Sequence, residues 1–328
     1  MRTTNHWPPV SVVGAGAVGC YFGAMLARAG VRVKLIGRAP HVEAIARDGL
    51  RLDGLRVQER IPVEATTSIA EGVRDAGVLL FCVKTVSTEA VAREMQPFLA
   101  PESTILSLQN GVDNPERIHS AIQRYAVPVA VYVAAEMTAP GCVTHTGRGD
   151  LIVGNRAGCP YEPDLGPLAA MFEEAGVPCQ ISDGIAAEMW SKMTMNCAWN
   201  ALSALTGAQY GRMVQFAPLR ELSVRAIAET VAVARAEGVT LSGQAMVDAA
   251  LRLSETMPQA TSSMAQDIAR GRRTEIDSLN GYVARRGAEL GIATPVSEML
   301  AAMVKLLEES NVNSKVRARQ LTGGASPA

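Results

Sequence analysis

The sequence has no excess of charge of either sign. Its 31 Lys and Arg against 32 Asp and Glu leave a formal net charge of −1 at pH 7. Acids and bases are interspersed, so no electrostatic footprint for nucleic acid or an anionic membrane is present, and a small-molecule partner is expected. No run reaches the roughly eighteen apolar residues a membrane span needs, and Met1-Arg2-Thr3-Thr4-Asn5-His6 lacks the basic-then-apolar character of a signal peptide. The expected location is the cytoplasm. The six cysteines (Cys20, Cys82, Cys142, Cys159, Cys179, Cys197) never form a C-x-x-C pair, and so read as reduced, small core residues. The four histidines (His6, His41, His119, His145) show no H-E-x-x-H or Cys/His ligand spacing, so no metal is expected. There is no internal repeat.

What is present is enough apolar material for two domains, with 48% hydrophobic residues in a chain of 328. The first signal is Val10-Ser11-Val12-Val13 running into Gly14-Ala15-Gly16-Ala17-Val18-Gly19, followed by a small-residue helical segment from Cys20 to Ala29. Strand, tight turn and helix with G-x-G-x-x-G spacing form a dinucleotide cradle. The first glycine turns the chain, the second lets backbone approach a pyrophosphate, and the third lets the helix pack closely on the sheet. The anion then meets the N–H groups of the helix N-terminus. A second strand, Val31 to Ile36, ends at Gly37-Arg38. An Asp or Glu here would bond the ribose 2′-hydroxyl of NAD, but Arg38 stands in its place, and a guanidinium suits a 2′-phosphate. NADPH is therefore favoured over NADH, with a solvated surface arginine as the alternative.

The alternation around Asp53-Gly54 predicts a hairpin. Val78 to Lys84 reads as a central parallel strand covered on both faces, and Thr104 to Leu108 as another, ending in Gln109-Asn110-Gly111. Lys84 and Asn110 thus sit at carboxyl ends of strands, where ligands of open α/β sheets bind. A strand-end lysine and a turn asparagine are equally ordinary readings. Further strands are expected at Val127 to Val133, in the segment running to Gly154, and at Val177 to Ile181. A helix is expected from Glu162 to Ala175. After Gly184 only helical patterns follow. The expectation is an α/β Rossmann-type domain over 1–183, an all-α domain over 184–310, and a flexible tail over 311–328.

The first helix of the second half, Ile185 to about Leu205, is apolar almost all round. Against that background Lys192, Asn196 and Asn200 recur every four residues on one stripe. Polar groups on a core helix need partners. Either Lys192 pairs with Glu188 and the asparagines cap backbone, or the stripe faces a polar substrate. In the second case an ammonium of ordinary pKa, about 10.4, is protonated at neutral pH and can donate to a carbonyl oxygen as hydride reaches its carbon. Later, Ser263-Met264-Ala265-Gln266-Asp267 precedes Thr274-Glu275-Ile276-Asp277, whose capping-box pattern predicts the start of a helix running to Gly291. A last helix is expected from Val296 to Ser310.

These motifs occur in an order that resembles the ketopantoate reductase (2-dehydropantoate 2-reductase) family over nearly the whole chain. The carriers are Gly14-x-Gly16-x-x-Gly19, Val83-Lys84, Gln109-Asn110-Gly111, Lys192-x-x-x-Asn196-x-x-x-Asn200, Ser263-Met264-x-Gln266-Asp267 and Thr274-Glu275-Ile276-Asp277. The resemblance implies a Rossmann domain followed by a helical one, with Lys192 as catalytic acid and Glu275 as the carboxylate that contacts the substrate hydroxyl. It implies substrate binding by Asn196, Asn200 and Ser263, Lys84 and Asn110 between cofactor and substrate, and Arg38 on the 2′-phosphate of NADPH. The implied reaction is reduction of a branched 2-oxo acid, ketopantoate to pantoate in pantothenate biosynthesis. Apart from the resemblance, the helical half is a candidate surface for a homodimer, with the oligomeric state left open. Two features depart from the pattern. Gln209-Tyr210-Gly211 stands where the family often has a further substrate-contacting asparagine, and Glu136 is an acid near the expected anion site. They leave open a paralogue acting on another 2-oxo acid or an imine, besides a non-catalytic NADP(H) sensor.

Overall fold

The computed structural model describes residues 6–55 and 57–322, with side chains described up to residue 311. The chain divides into two compact units, one ending at Met189 and the other beginning at Trp190. The first unit holds β1 (Val10–Val13), α1 (Ala17–Arg28), β2 (Val33–Ile36), α2 (Ala39–Asp48), β3 (Leu50–Gly54), β4 (Gln58–Ile61), β5 (Glu64–Thr66) and α3 (Ile69–Val73). It continues with β6 (Val78–Phe81), α4 (Thr88–Met95), β7 (Thr104–Ser107), α5 (Asn114–Ile122), β8 (Ala126–Ala139), β9 (Cys142–Val153), α6 (Gly166–Glu174) and β10 (Cys179–Ile181).

Six strands lie parallel in the order β5-β2-β1-β6-β7-β8. The chain therefore starts in the middle of this sheet, works outward to β5, then returns beside β1 and works outward the other way. The reversal between β1 and β6 is a topological switch point. Side-chain alternation explains why these strands read as continuous apolar runs. Val12, Leu35, Leu80 and Leu106 enter one core with Phe22 of α1, whereas Val13, Ile36, Leu79, Phe81 and Ile105 enter a second core on the opposite face.

β8 serves two sheets. Its first residues pair in parallel with β7, and from Val129 it pairs antiparallel with β9, with register shifts between Val133 and Ala135 and between Met137 and Ala139. β9 in turn pairs with β3 and β10, and β3 with β4. The Asp53-Gly54 hairpin joins β3 to β4, although Arg56 in its turn lies outside the described residues. The strand expected to stop at Val133 thus runs on to Ala139, which places Glu136 opposite Thr144 of β9, itself paired with Asp53 of β3. α6 begins at Gly166 and not at Glu162, because Pro163 and Pro167 confine the helix start and the Asp164 carboxylate turns the chain by accepting from the Gly166 N–H at 2.9 Å.

α7 (Ile185–Thr206) contains the junction of the two units, between Met189 and Trp190. It begins one residue after the expected boundary at Asp183-Gly184. The second unit continues with α8 (Tyr210–Gln215), α9 (Ala217–Ala236), α10 (Gly243–Thr256), α11 (Ser263–Ala269), α12 (Asn280–Leu290) and α13 (Pro295–Thr322). Its centre is built on α7, whose Trp199 is fully buried and donates its indole N–H to the Ala250 carbonyl at 3.2 Å. Glu229 of α9 accepts from the Val296 and Ser297 N–H groups, both at 2.8 Å, and so closes the N-terminus of α13.

Two expectations fail in this unit. The capping box at Thr274 does not form: the Thr274 N–H donates to Glu308 at 2.6 Å, its hydroxyl accepts from Ile276, and Asp277 pairs with Lys305 at 2.5 Å. A single 3-10 turn over Ile276–Ser278 results, and the helix starts only at Asn280. The last helix does not stop at Ser310 but continues to Thr322, since no Gly or Pro interrupts residues 311–322. The remainder of the expected tail, 323–328, lies outside the described residues. All six cysteines are free thiols, but only Cys20, Cys179 and Cys197 are buried; Cys82, Cys142 and Cys159 are half-buried. Among the described residues, no helix is long and apolar enough to cross a membrane, and no three His, Cys, Asp or Glu are grouped to hold a metal ion.

Candidate functional site

In the first unit the candidate residues converge at the carboxyl ends of four adjacent strands, β2, β1, β6 and β7. Backbone hydrogen bonds stitch these ends together. Gly14 and Ala15 donate to the Ile36 carbonyl at 3.1 and 2.8 Å, Cys82 to Val13 at 2.8 Å, and Leu108 to Phe81 at 3.0 Å. The glycine loop therefore opens at the switch point.

The three glycines meet different surroundings. Gly14 has φ +112°, and a Cβ there would lie 2.9 Å from the carbonyl carbon of Cys82. A Cβ on Gly19 would collide with the Gly14 carbonyl and would lie 2.6 Å from Val12 Cγ1, so α1 packs on β1 only because residue 19 has no side chain. A Cβ on Gly16 would meet nothing within 4 Å. Gly16 is the N-cap of α1 and its carbonyl accepts the first helical bond, from Cys20 at 2.8 Å; Ala17, Val18 and Gly19 precede that bond, and the first turn carries no acid. Open space in front of an uncapped helix start suits an anionic group.

Arg38 follows β2 as the exposed N-cap residue of α2. Half-buried Lys84 follows β6 and opens a 3-10 turn over Thr85–Ser87. Asn110 follows β7, and its carbonyl accepts from Thr85 Oγ1 at 3.3 Å and from Asn114 Nδ2 at 2.8 Å. The structure thus groups Gly14 to Gly19, Arg38, Lys84 and Asn110 along one edge of the parallel sheet. A separate cavity of about 390 Å³ opens at the other ends of β1 and β2, among Pro9, Arg32, Lys34 and Asp75, and none of the candidate residues lines it.

In the second unit Lys192 and Asn196 are half-buried and Asn200 is buried on α7. Two fastenings bring the other candidates to this helix. Ser262 donates its hydroxyl to the Asn200 carbonyl at 3.1 Å and its N–H to Ser203 Oγ at 3.2 Å, which sets Ser263, the first residue of α11, beside the C-terminal part of the stripe. Asn280 donates to the Cys197 carbonyl at 3.1 Å, which ties the turn after half-buried Glu275 to the middle of α7. Tyr210 is buried, and burial pushes its phenol up to about 12. The N–H groups of Tyr210 and Gly211 each donate at 3.0 Å, to Ala260 and Pro258. The Gln209-Tyr210-Gly211 departure is thus a packing feature. Glu136 sits away from the parallel strand ends, in the β8–β9 ribbon.

Sequence reasoning missed the buried polar side chains beneath Lys84 and Asn110: Thr85, Thr88, Gln109 and Asn114. Gln109 was overshadowed by the turn pair after it, and Asn114 before Pro115 has the form of a helix start. Their only signal is polarity next to strand ends whose neighbours are apolar.

Residues 10–158 match the family model described as ketopantoate reductase PanE/ApbA, and residues 184–308 match that of its C-terminal domain. The 2-dehydropantoate 2-reductase of Halobacterium salinarum is 32% identical over 91% of this chain and 98% of its own. A PanE/ApbA family ketopantoate reductase from Ralstonia eutropha JMP134 superposes with a TM-score of 0.86 at 44% identity, covering 92% of this chain and 99% of that one. A D-mandelate dehydrogenase solved with NADH and anilino(oxo)acetate superposes at 0.87 with 25% identity, covering 92% and 99%. The glycine loop at the switch point, the polar stripe on a buried helix and these matches over most of the chain agree: the chain belongs to the ketopantoate reductase family, pyridine-nucleotide oxidoreductases that act on a C2 ketone.

Proposed function

We propose that this protein reduces ketopantoate to pantoate with NADPH, as a step in pantothenate biosynthesis. The observation that carries the nucleotide reading is the open space at Gly16 in front of the α1 N-terminus, which has no side-chain cap and no acid in its first turn, an arrangement that suits a pyrophosphate. The backbone from Gly14 to Gly19 would hold the pyrophosphate, and Arg38 would hold the 2′-phosphate through a planar, permanently charged fork. Lys84 and Asn110, two strands along the same edge, would face both nucleotide and substrate. When bound, the reduced nicotinamide supplies a hydride.

The remaining work falls to the second unit. Lys192 donates a proton to the ketone oxygen, and Asn196 and Asn200 donate hydrogen bonds where negative charge develops, which is where preorganised dipoles contribute most. Glu275 accepts from the substrate hydroxyl, and Ser263 contributes a further hydroxyl. The half-burial of Lys192 and Glu275 supports this assignment, because the groups are sheltered enough for strong electrostatics and still reachable. A second reading, reduction of an aryl-substituted 2-oxo acid, is favoured by the D-mandelate dehydrogenase match.

A panel of 2-oxo acids and imines, each assayed with NADPH and NADH side by side, tests the proposal. Fastest turnover of ketopantoate with NADPH is expected. Faster turnover of an aryl 2-oxo acid selects the second reading, preference for NADH removes Arg38 from phosphate recognition, and binding without turnover of any substrate makes the protein a sensor.

A further inference from the structure

Beneath Lys84 and Asn110 lies a chain of hydrogen bonds among side chains that no solvent reaches. Thr88 and Asn114 are fully buried, Thr85 is 2% exposed and Gln109 4%. Gln109 Nε2 donates to the Val83 carbonyl at 2.9 Å and to Thr88 Oγ1 at 2.7 Å. Having accepted there, the Thr88 hydroxyl donates to Asn114 Oδ1 at 3.0 Å. Asn114 Nδ2 donates to the Asn110 carbonyl at 2.8 Å and to Thr85 Oγ1 at 3.1 Å, and Thr85 Oγ1 donates to the same carbonyl at 3.3 Å. Ser107 closes the other end by donating to Gln109 Oε1 at 3.1 Å.

The direction of every bond is forced. Carbonyl oxygens only accept, so both amide groups must present nitrogen to Val83 and Asn110, and Thr88 is left to pass the sequence on. The two anchored carbonyls belong to the residue before Lys84 and to Asn110 itself. The loops after β6 and β7 are joined through these amides and hydroxyls.

We propose that Thr85, Thr88, Gln109 and Asn114 are positioning residues that hold Lys84 and Asn110 in one fixed arrangement, preorganised for the nucleotide. The inference rests on the reading of Lys84 and Asn110 as nucleotide-facing groups. Buried polar networks act as units, because breaking one member leaves its partners unsatisfied in a low-dielectric interior. Thr88 joins the two amides, accepting from Gln109 and donating to Asn114.

The test is the dissociation constant of NADPH, measured by fluorescence titration of the folded, full-length protein. Thr88→Val keeps the shape and removes the hydroxyl, whereas Thr88→Ser keeps the hydroxyl and removes a methyl group. The valine variant is expected to bind NADPH about tenfold more weakly, and the serine variant within about twofold of the parent, a rescue that a packing role would not produce. In a background that already carries Lys84→Ala and Asn110→Ala, Thr88→Val should add no further loss, since it acts through those two side chains. Unchanged affinity in Thr88→Val, or a further loss in that background, would overturn the proposal. If Thr88→Val does not fold, Thr85→Val carries the same expectations, because it removes the hydroxyl that donates to the Asn110 carbonyl and accepts from Asn114. A parent protein that binds no NADPH rejects the nucleotide reading instead, so the two failures are distinguishable.

Discussion

The Asn280 side chain spans from the start of α12 to the main-chain carbonyl of Cys197, donating at 3.1 Å. It joins the segment that carries Glu275 to the helix that carries Lys192 and Asn196. The side chain is fully buried, and its Oδ1 has no hydrogen-bond partner among the described residues. Asn280→Ala removes the donor and should lower stability by about 1–3 kcal/mol. Asn280→Asp removes the same donor and adds a buried carboxylate with nothing to accept from, so it should cost more than alanine. Urea midpoints of the two variants decide the order; an aspartate variant as stable as the alanine one contradicts it.

Gly16 and Gly19 should respond in opposite ways to a methyl group. At Gly19 the added carbon runs into the Gly14 carbonyl and Val12, so Gly19→Ala must push α1 off β1, and overpacking of this kind costs about 1–3 kcal/mol or more. At Gly16 nothing lies within 4 Å, so Gly16→Ala should melt at the parent temperature. It should nevertheless bind NADPH at least about tenfold more weakly, because the methyl group occupies the space proposed for the pyrophosphate. Thermal melts with and without nucleotide check both halves.

These contrasts show which parts of the site were legible in the sequence. The glycines were, because their roles depend on local conformation and on a strand and helix adjacent in the chain. The central strands were, because Val78 to Phe81 is covered on both faces and so is apolar without interruption. Thr274 was misread because its N–H is satisfied by Glu308, 34 residues away, where a local pattern pointed to Asp277. The network under Lys84 was invisible for the same reason: Thr88 meets Gln109 and Asn114 across 21 and 26 residues. β8 was read short because register shifts after Val133 break the alternation that identifies a strand.

Lys192 offers the sharpest test of the chemistry. If its ammonium protonates the ketone oxygen, Lys192→Ala should lower kcat by about 10²–10⁴, the range a positioned acid contributes. NADPH affinity should stay near that of the parent, because the proposed nucleotide cradle lies in the first unit's glycine loop. Single-turnover rates and a nucleotide titration on the same preparation separate the two effects, and unchanged turnover removes Lys192 from the acid role.

The thiols make stability depend on pH in a direction that can be worked out. Burial pushes Cys20 and Cys197 from the ordinary 9.0 up to about 12. In the unfolded chain they lose their protons near pH 9, whereas in the folded chain they keep them to about 12. Between these values the folded state binds more protons, so stability falls as pH rises. Below about pH 8 these groups contribute almost no slope. At pH 10 each should cost about 1 kcal/mol relative to pH 8. Urea midpoints of the parent and of Cys197→Ala at the two pH values isolate one thiol: the variant should lose less stability over the interval. The same burial keeps both thiols protonated and shielded at pH 8, where a thiol-specific alkylating reagent should leave Cys20 and Cys197 unmodified until denaturant is added. Labelling of either in the native protein would show that its thiol opens to solvent without unfolding.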